Sequence, residues 1–388
     1  MQGVKHWPVG LLRGDEMSQD CGESVRPPVP HRHQQQKHAG GTPLKRFERD
    51  FRDAISASID AQGSIVISGI AFSPVEILED DPDSYREAYL DWLANDWVPI
   101  RDERLNLILS DKANAQRFGE LLIGTKAGRV VPFLGSGMSA PCGMPLWSSF
   151  LQDLQANSTL TAEKLEDLLR AGEYEAAATA LAAAMPPHLF DERIEQTLCI
   201  PAGGEIMGSV RLLPAVFDET AITSNLDDVL EVLQRIEGAP FDEVLSGTAI
   251  AQFRFLRGKG RRCLLKVHGD RANRAGRVLT TAEYDAAYGP GCAARDELEY
   301  VFGTEPLLFM GCSLEADRTM RLLKEVVDGD DNTPRNYAFM RRPGDEQTRL
   351  TREHFLAERK IFPIWYDGDH DESIEALLFG LARAKGKI

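Results

Sequence analysis

Four short polar clusters in this chain each follow an apolar, β-rich run directly. The first is Gly135-Ser136-Gly137-Met138-Ser139, after RVVPFL (129–134). Gly135 and Gly137 allow close backbone approach. Successive N–H groups ahead of a helix make an anion site. Ala140 takes the sixth position, so the spacing departs from GxGxxG, and an ordinary strand-to-helix turn explains the glycines equally well. The second cluster is Thr223-Ser224-Asn225-Leu226-Asp227-Asp228, which opens a helix. A capping role covers Asn225 or Asp227, but not three polar groups together. The third is Lys266-Val267-His268-Gly269-Asp270. Outside the N-terminal tail the histidines are His188, His268, His354 and His370, and His268 alone falls at an expected carboxyl strand end. With Asn225 on a neighbouring end it reads as a general base; a structural histidine is the alternative. The fourth is Gly311-Cys312-Ser313-Leu314-Glu315-Ala316-Asp317. Gly311 lets a ligand near the backbone and Ser313 offers a hydroxyl. The alternative is a glycine turn with Ser313 or Asp317 as helix cap, and Cys312 reads as packing.

These clusters need a scaffold that brings strand ends together. Apolar runs at 129–134, 221–223, 263–267, 306–310, 336–340 and 360–366 alternate with helical patterns such as LDDVLEVLQRI and ADRTMRLLKEVV. That alternation predicts an α/β, Rossmann-like, doubly wound parallel sheet of about six strands. Ligands of open α/β sheets lie at the carboxyl ends of the strands. Residues 146–215 carry helical patterns without a strand, which predicts a helical insertion. Residues 44–124 read as an N-terminal, mainly helical extension, and 125–388 as the α/β domain that carries the four clusters. Residues 1–43, with PPVP, HRHQQQKH and four histidines, read as a disordered tail; Met1 and Met17 are both possible starts.

Composition narrows the class. A net charge of -16 disfavours direct nucleic-acid binding. No run of 18 apolar residues exists, so no membrane span is expected. None of the six cysteines forms CxxC, which points away from a zinc ribbon and towards a reduced, cytoplasmic protein without a metal.

The ordered set GSGMS, TSNLDD, KVHGD and GCSLEAD resembles the SIR2-like (sirtuin-fold) family of bacterial anti-phage defence NADases, over about residues 125–385. VLTTAEYDAAYG also looks like that family's stretch after its histidine. The resemblance implies that the segment Gly135, Ser136, Gly137, Met138 and Ser139 cradles the NAD+ diphosphate. It implies that Asn225 and Asp227 surround the nicotinamide riboside, that His268 is catalytic, and that Gly311 and Ser313 face the adenosine side. Deacylating sirtuins carry a four-cysteine zinc module and a Pro-Asp-Phe-Arg stretch; here there is no CxxC and Met144-Pro145-Leu146-Trp147 stands instead. Both departures favour NAD+ hydrolysis over lysine deacylation. The resemblance further implies a homo-oligomer acting with a HerA-type ATPase or a short Argonaute. A non-catalytic NAD or ADP-ribose sensor is the rival from another class, and would need the glycine segment without His268 beside Asn225.

Overall fold

The computed structural model describes residues 46–60, 65–67, 70–201, 204–315 and 317–388. The N-terminal tail, its four histidines and Cys21 lie outside them. Each apolar run is short and closed by a polar or glycine-bearing turn, and most hold β-branched or aromatic residues, so they extend as strands. β1 (Ile65–Ile67) and β2 (Ile70–Phe72) pair antiparallel. β3 (Val131–Leu134), β4 (Thr220–Thr223), β5 (Glu243–Ser246), β6 (Cys263–Lys266), β7 (Leu307–Met310), β8 (Asn336–Arg341) and β9 (Ile361–Tyr366) form one parallel sheet in the order β5-β6-β4-β3-β7-β8-β9. Every position of β3, β4, β6 and β7 is buried, as a sheet covered on both faces requires.

The sheet has seven strands instead of about six. The additional one is β5, at the edge, where Val244 stays 46 % exposed. An edge strand buries less and so carries a weaker apolar signature.

Strand order sets the place of the site. From β3 the chain moves to β4 on one side, builds β5 and β6 beyond it, then crosses to β7 on the other side. The direction of winding reverses around β3. The crevice of a doubly wound sheet opens at such a switch point, here at the carboxyl ends of β3, β4 and β7.

Side chains alternate between two cores. Phe133, Ile222, Leu265 and Phe309 face helices such as Ala293–Thr304 and Arg318–Gly329. Leu134, Ala221, Leu264 and Met310 face the opposite layer, centred on the helix His370–Ala384. That helix is buried from Ser373 to Ala382. Its outer cover comes from the N-terminal region: the Trp97 ring lies 5.4 Å from Phe379, and Arg101 pairs with buried Glu375 at 2.5 Å.

Between β3 and β4 run the helices Trp147–Gln155, Ala162–Arg170, Tyr174–Ala183 and Pro187–Thr197, with no strand among them. They share a small core of Phe150, Leu151, Leu181, Phe190 and Ile194. Leu226 and Leu279, from the loops after β4 and β6, are buried in that core. No helix among the described residues is long and apolar enough to cross a membrane.

Candidate active site

The loops after β3 and β7 are built as one unit. Gly311 has φ +67, and a Cβ there would stand 2.5 Å from the Met138 nitrogen. A Cβ on Gly135 would stand 2.5 Å from the Gly311 carbonyl oxygen. Glycine at both positions is what lets two strand ends touch.

That contact uses the expected anion donors. The N–H of Gly135 donates to Met310 O at 2.9 Å, that of Gly137 to Gly311 O at 3.0 Å, and that of Met138 to Gly135 O at 3.0 Å. The Ser139 N–H donates to Ser136 O. The run of free amides expected from Gly135 to Met138 is thus corrected: in this segment Ser136 alone keeps an amide without a partner among the described residues. The Met138 side chain belongs to the core, and Ser139 is buried.

Ser139 instead serves the second strand end. Asn225 Nδ2 donates to Ser139 Oγ at 3.0 Å, and the Asn225 N–H donates to Thr223 Oγ1 at 3.0 Å. Leu226 is drawn into the insertion core while its polar neighbours turn the other way. Asn225, Asp227 and His268 are each only 6 % exposed. Asp227 Oδ1 accepts the Val229 N–H, the first of the following helix, at 3.1 Å, although the N-cap position itself is Asp228. Burial lifts its carboxyl to about 6, against opposing pulls from Val229, Ser139 and Lys266.

Lys266 binds this loop to the next. Its side chain is wholly buried, and Nζ donates to the Asp227 carbonyl at 2.7 Å, to Glu231 at 2.8 Å and to Asp270 at 2.7 Å. Desolvation pulls against its charge, but the two carboxylates outweigh it and the pKa is raised.

β4 and β6 are neighbours, with Thr223 opposite Lys266. Asn225 and His268 each lie two residues beyond that pair, on adjoining strand ends. Two polar atoms here are buried and lack a hydrogen-bond partner: Asn225 Oδ1 and His268 Nδ1. Burial pushes the His268 pKa down to about 4, partly offset by the Ser224 backbone, so the ring is neutral near pH 7. Aromatic rings surround it: Tyr284 at 5.3 Å, Tyr288 at 6.3 Å and Trp147 at 6.4 Å between centroids.

A cleft of about 1310 Å³ opens over these ends. Gly135, Ser136, Gly137, Gly311, Ser313 and His268 all line it. Ser224 lines it too, whereas Asn225, Asp227, Met138 and Ser139 do not reach its surface and lie buried behind it. The insertion supplies a wall through Trp147 and Tyr174. Burial pushes the Cys312 thiol up, which keeps it protonated and fits packing. Asp317, not Ser313, caps the helix after β7, accepting the Met320 N–H at 2.8 Å.

Sequence reasoning missed Lys266, Tyr284, Tyr288 and His370 and met Trp147 only as a departure from the sirtuin pattern. His370 had a legible signal: it follows β9 through Asp367-Gly368-Asp369, a fifth polar, glycine-bearing strand end.

Fold and cleft define the class: a doubly wound α/β protein with a buried imidazole beside a crevice at its switch point. Residues 219–364 match the family model of the SIR2-like domain. The match runs from β4 nearly to the end of β9 and takes in three of the four clusters, leaving out the glycine segment. SIR2-like domains are typically NAD-using enzymes, and the match supports an NAD-related function. No curated protein matches the chain.

Proposed function

We propose that this protein is an NAD+ glycohydrolase, cleaving the nicotinamide–ribose bond to nicotinamide and ADP-ribose. The observation that carries it is the placing of Asn225 and His268 on adjoining strand ends, each with a buried polar atom left without a partner, Asn225 Oδ1 and His268 Nδ1, where His268 lines a cleft of about 1310 Å³ shared with the glycine segment. Each leaves a buried polar atom that a bound water or a ligand group would satisfy.

Nicotinamide in NAD+ is already cationic, so its departure needs no strong acid. What the site must do is stabilise positive charge growing on the ribose and accept one proton. Asp227, ionised, opposes the growing charge. Asn225 Oδ1 orients a water or a ribose hydroxyl. His268, neutral because it is buried, accepts the proton. Trp147, Tyr284 and Tyr288 keep bulk water from the sugar. The strand ends of β3 and β7 hold the diphosphate and the adenosine side.

The setting we propose is NAD+ depletion in antiviral defence, as a homo-oligomer with a HerA-type ATPase or short Argonaute partner; the resemblance of the four motifs alone supports it. Nicotinamide release from NAD+, measured for the chain alone and with the protein encoded beside it, tests the reading. His268→Ala and Asn225→Ala should each lower turnover by about 10²–10⁴-fold. Wild-type turnover in His268→Ala overturns the assignment. Release that requires an acylated lysine peptide points to the deacylase, and tight binding without release to the sensor.

A further inference from the structure

The fifth strand end reaches the same cleft. β9 closes at Tyr366, and the chain turns through Asp367, Gly368 and Asp369 into the helix that starts at His370. Arg104 holds this turn from outside, donating to the Asp367 carbonyl at 2.7 Å and to Ser373 Oγ at 2.9 Å. His370 lines the cleft together with Ser136 and Gly137. Its Nε2 lies 3.0 Å from where a Cβ on Gly137 would stand, so a side chain at that position would collide with the ring.

The other ring nitrogen decides what Nε2 can do. Nδ1 lies 2.5 Å from the Tyr366 hydroxyl. Tyr366 is 1 % exposed, and Nδ1 is the one hydrogen-bond partner of its hydroxyl among the described residues. Leaving a buried hydroxyl proton without an acceptor is costly. Tyr366 therefore donates to Nδ1, which puts the ring proton on Nε2, beside the glycine segment. Burial, more than the opposing charge of Asp371, pushes the His370 pKa down, so the ring is a neutral donor near pH 7. The two acids beside it are already engaged: Asp369 accepts the Glu372 N–H at 3.0 Å and Asp371 the Ser209 N–H at 2.8 Å. Arg341 adds positive charge to the same cleft. Ser136 lines the cleft with His370, and its amide is the one of its segment left without a partner among the described residues.

We propose that His370 Nε2–H and the Ser136 N–H together bind the diphosphate of the dinucleotide, with Tyr366 fixing the tautomer that makes His370 a donor. The proposal rests on the NAD reading of the cleft. In place of the four glycine-segment amides that already have backbone partners, it uses one amide and one imidazole.

Calorimetric titration of ADP-ribose and of nicotinamide riboside, which lacks the diphosphate, tests it at pH 7.5. Losing a hydrogen bond to a charged group, His370→Ala should weaken ADP-ribose about tenfold or more and leave nicotinamide riboside unchanged. His370→Gln, whose amide nitrogen donates from nearly the same place, should stay within about threefold of wild type. In NAD+ turnover the Ala variant should raise KM with little change in kcat. Equal ADP-ribose affinity in wild type and His370→Ala overturns the proposal, as does an equal loss for both ligands. Should His370→Ala fail to fold, Tyr366→Phe decides: unchanged ADP-ribose affinity there overturns it. A wild-type protein that binds neither ligand brings down the NAD reading itself.

Discussion

Asp227 is where function and stability pull apart most clearly. An exposed aspartate titrates near 4, while burial lifts this one to about 6. The folded state thus holds the proton more tightly than the unfolded chain. The stability this brings is complete below about pH 4 and is lost as pH rises through 4 to 6. At neutral pH the ionised carboxylate costs about 2–3 kcal/mol. Asp227→Asn keeps an acceptor for the Val229 N–H and removes the charge. Thermal unfolding at pH 7.5 should show it more stable than wild type, with the gain vanishing near pH 4. Turnover should move the other way. Wild-type cleavage should climb between pH 5 and 7 as Asp227 ionises, because His268, pushed down to about 4, is neutral throughout that range. A variant that is both more stable and fully active would remove Asp227 from the mechanism. The type and order of Asn225, Asp227 and His268 were legible because polar groups crowding strand ends are unusual. The pKa values were not, since desolvation depends on what the rest of the fold stacks over each group.

Leu226 shows how an element reaches the chemistry. It sits between Asn225 and Asp227, and its side chain belongs to the core of the insertion helices. The insertion therefore acts as the anchor of the loop after β4. Leu226→Ala and Leu165→Ala remove similar bulk from the same core, and each should cost about 2–5 kcal/mol. Turnover at 20 °C should fall steeply for Leu226→Ala alone, because Leu226, unlike Leu165, sits in a loop that carries candidate site residues; equal losses in both would reduce the insertion to general stability. The four helices of 146–215 were readable from their apolar period, but their target was not. A period of 3.6 identifies a buried face without naming what covers it. β5 escaped for a related reason: with Val244 exposed, EVLS carries too little apolar contrast to stand out from a loop.

At the scale of the whole molecule the C-terminal helix couples the N-terminal helices to the sheet. Its residues from Ser373 to Ala382 are buried, with Trp97 against Phe379 and Arg101 on Glu375. Glu375 also meets Arg211 at 3.5 Å, and Arg211 meets Asp50 at 2.9 Å. Stripping residues 46–124 would leave an apolar helix face in water and a buried carboxylate with half its partners. A chain starting at residue 125 should thus accumulate as aggregate, as size-exclusion chromatography would report; a soluble monomer with full NAD+ turnover would mean that the helices serve something other than the fold. Arg104 extends the same contact to the turn before His370, so the N-terminal helices also support one wall of the cleft.

By itself the sequence determined the alternation of strand and helix, the helical insertion and the polar character of four strand ends, because period, glycine and charge act over a few neighbouring residues. Tertiary structure alone decided which ends meet. Strand order put β3 at the switch point, spent the Gly135 and Gly137 amides on Met310 and Gly311, left Asn225 Oδ1 and His268 Nδ1 without partners, and brought His370 from the far end of the chain to Gly137. Those outcomes follow from long-range packing and desolvation, which arise only when distant segments close over one another.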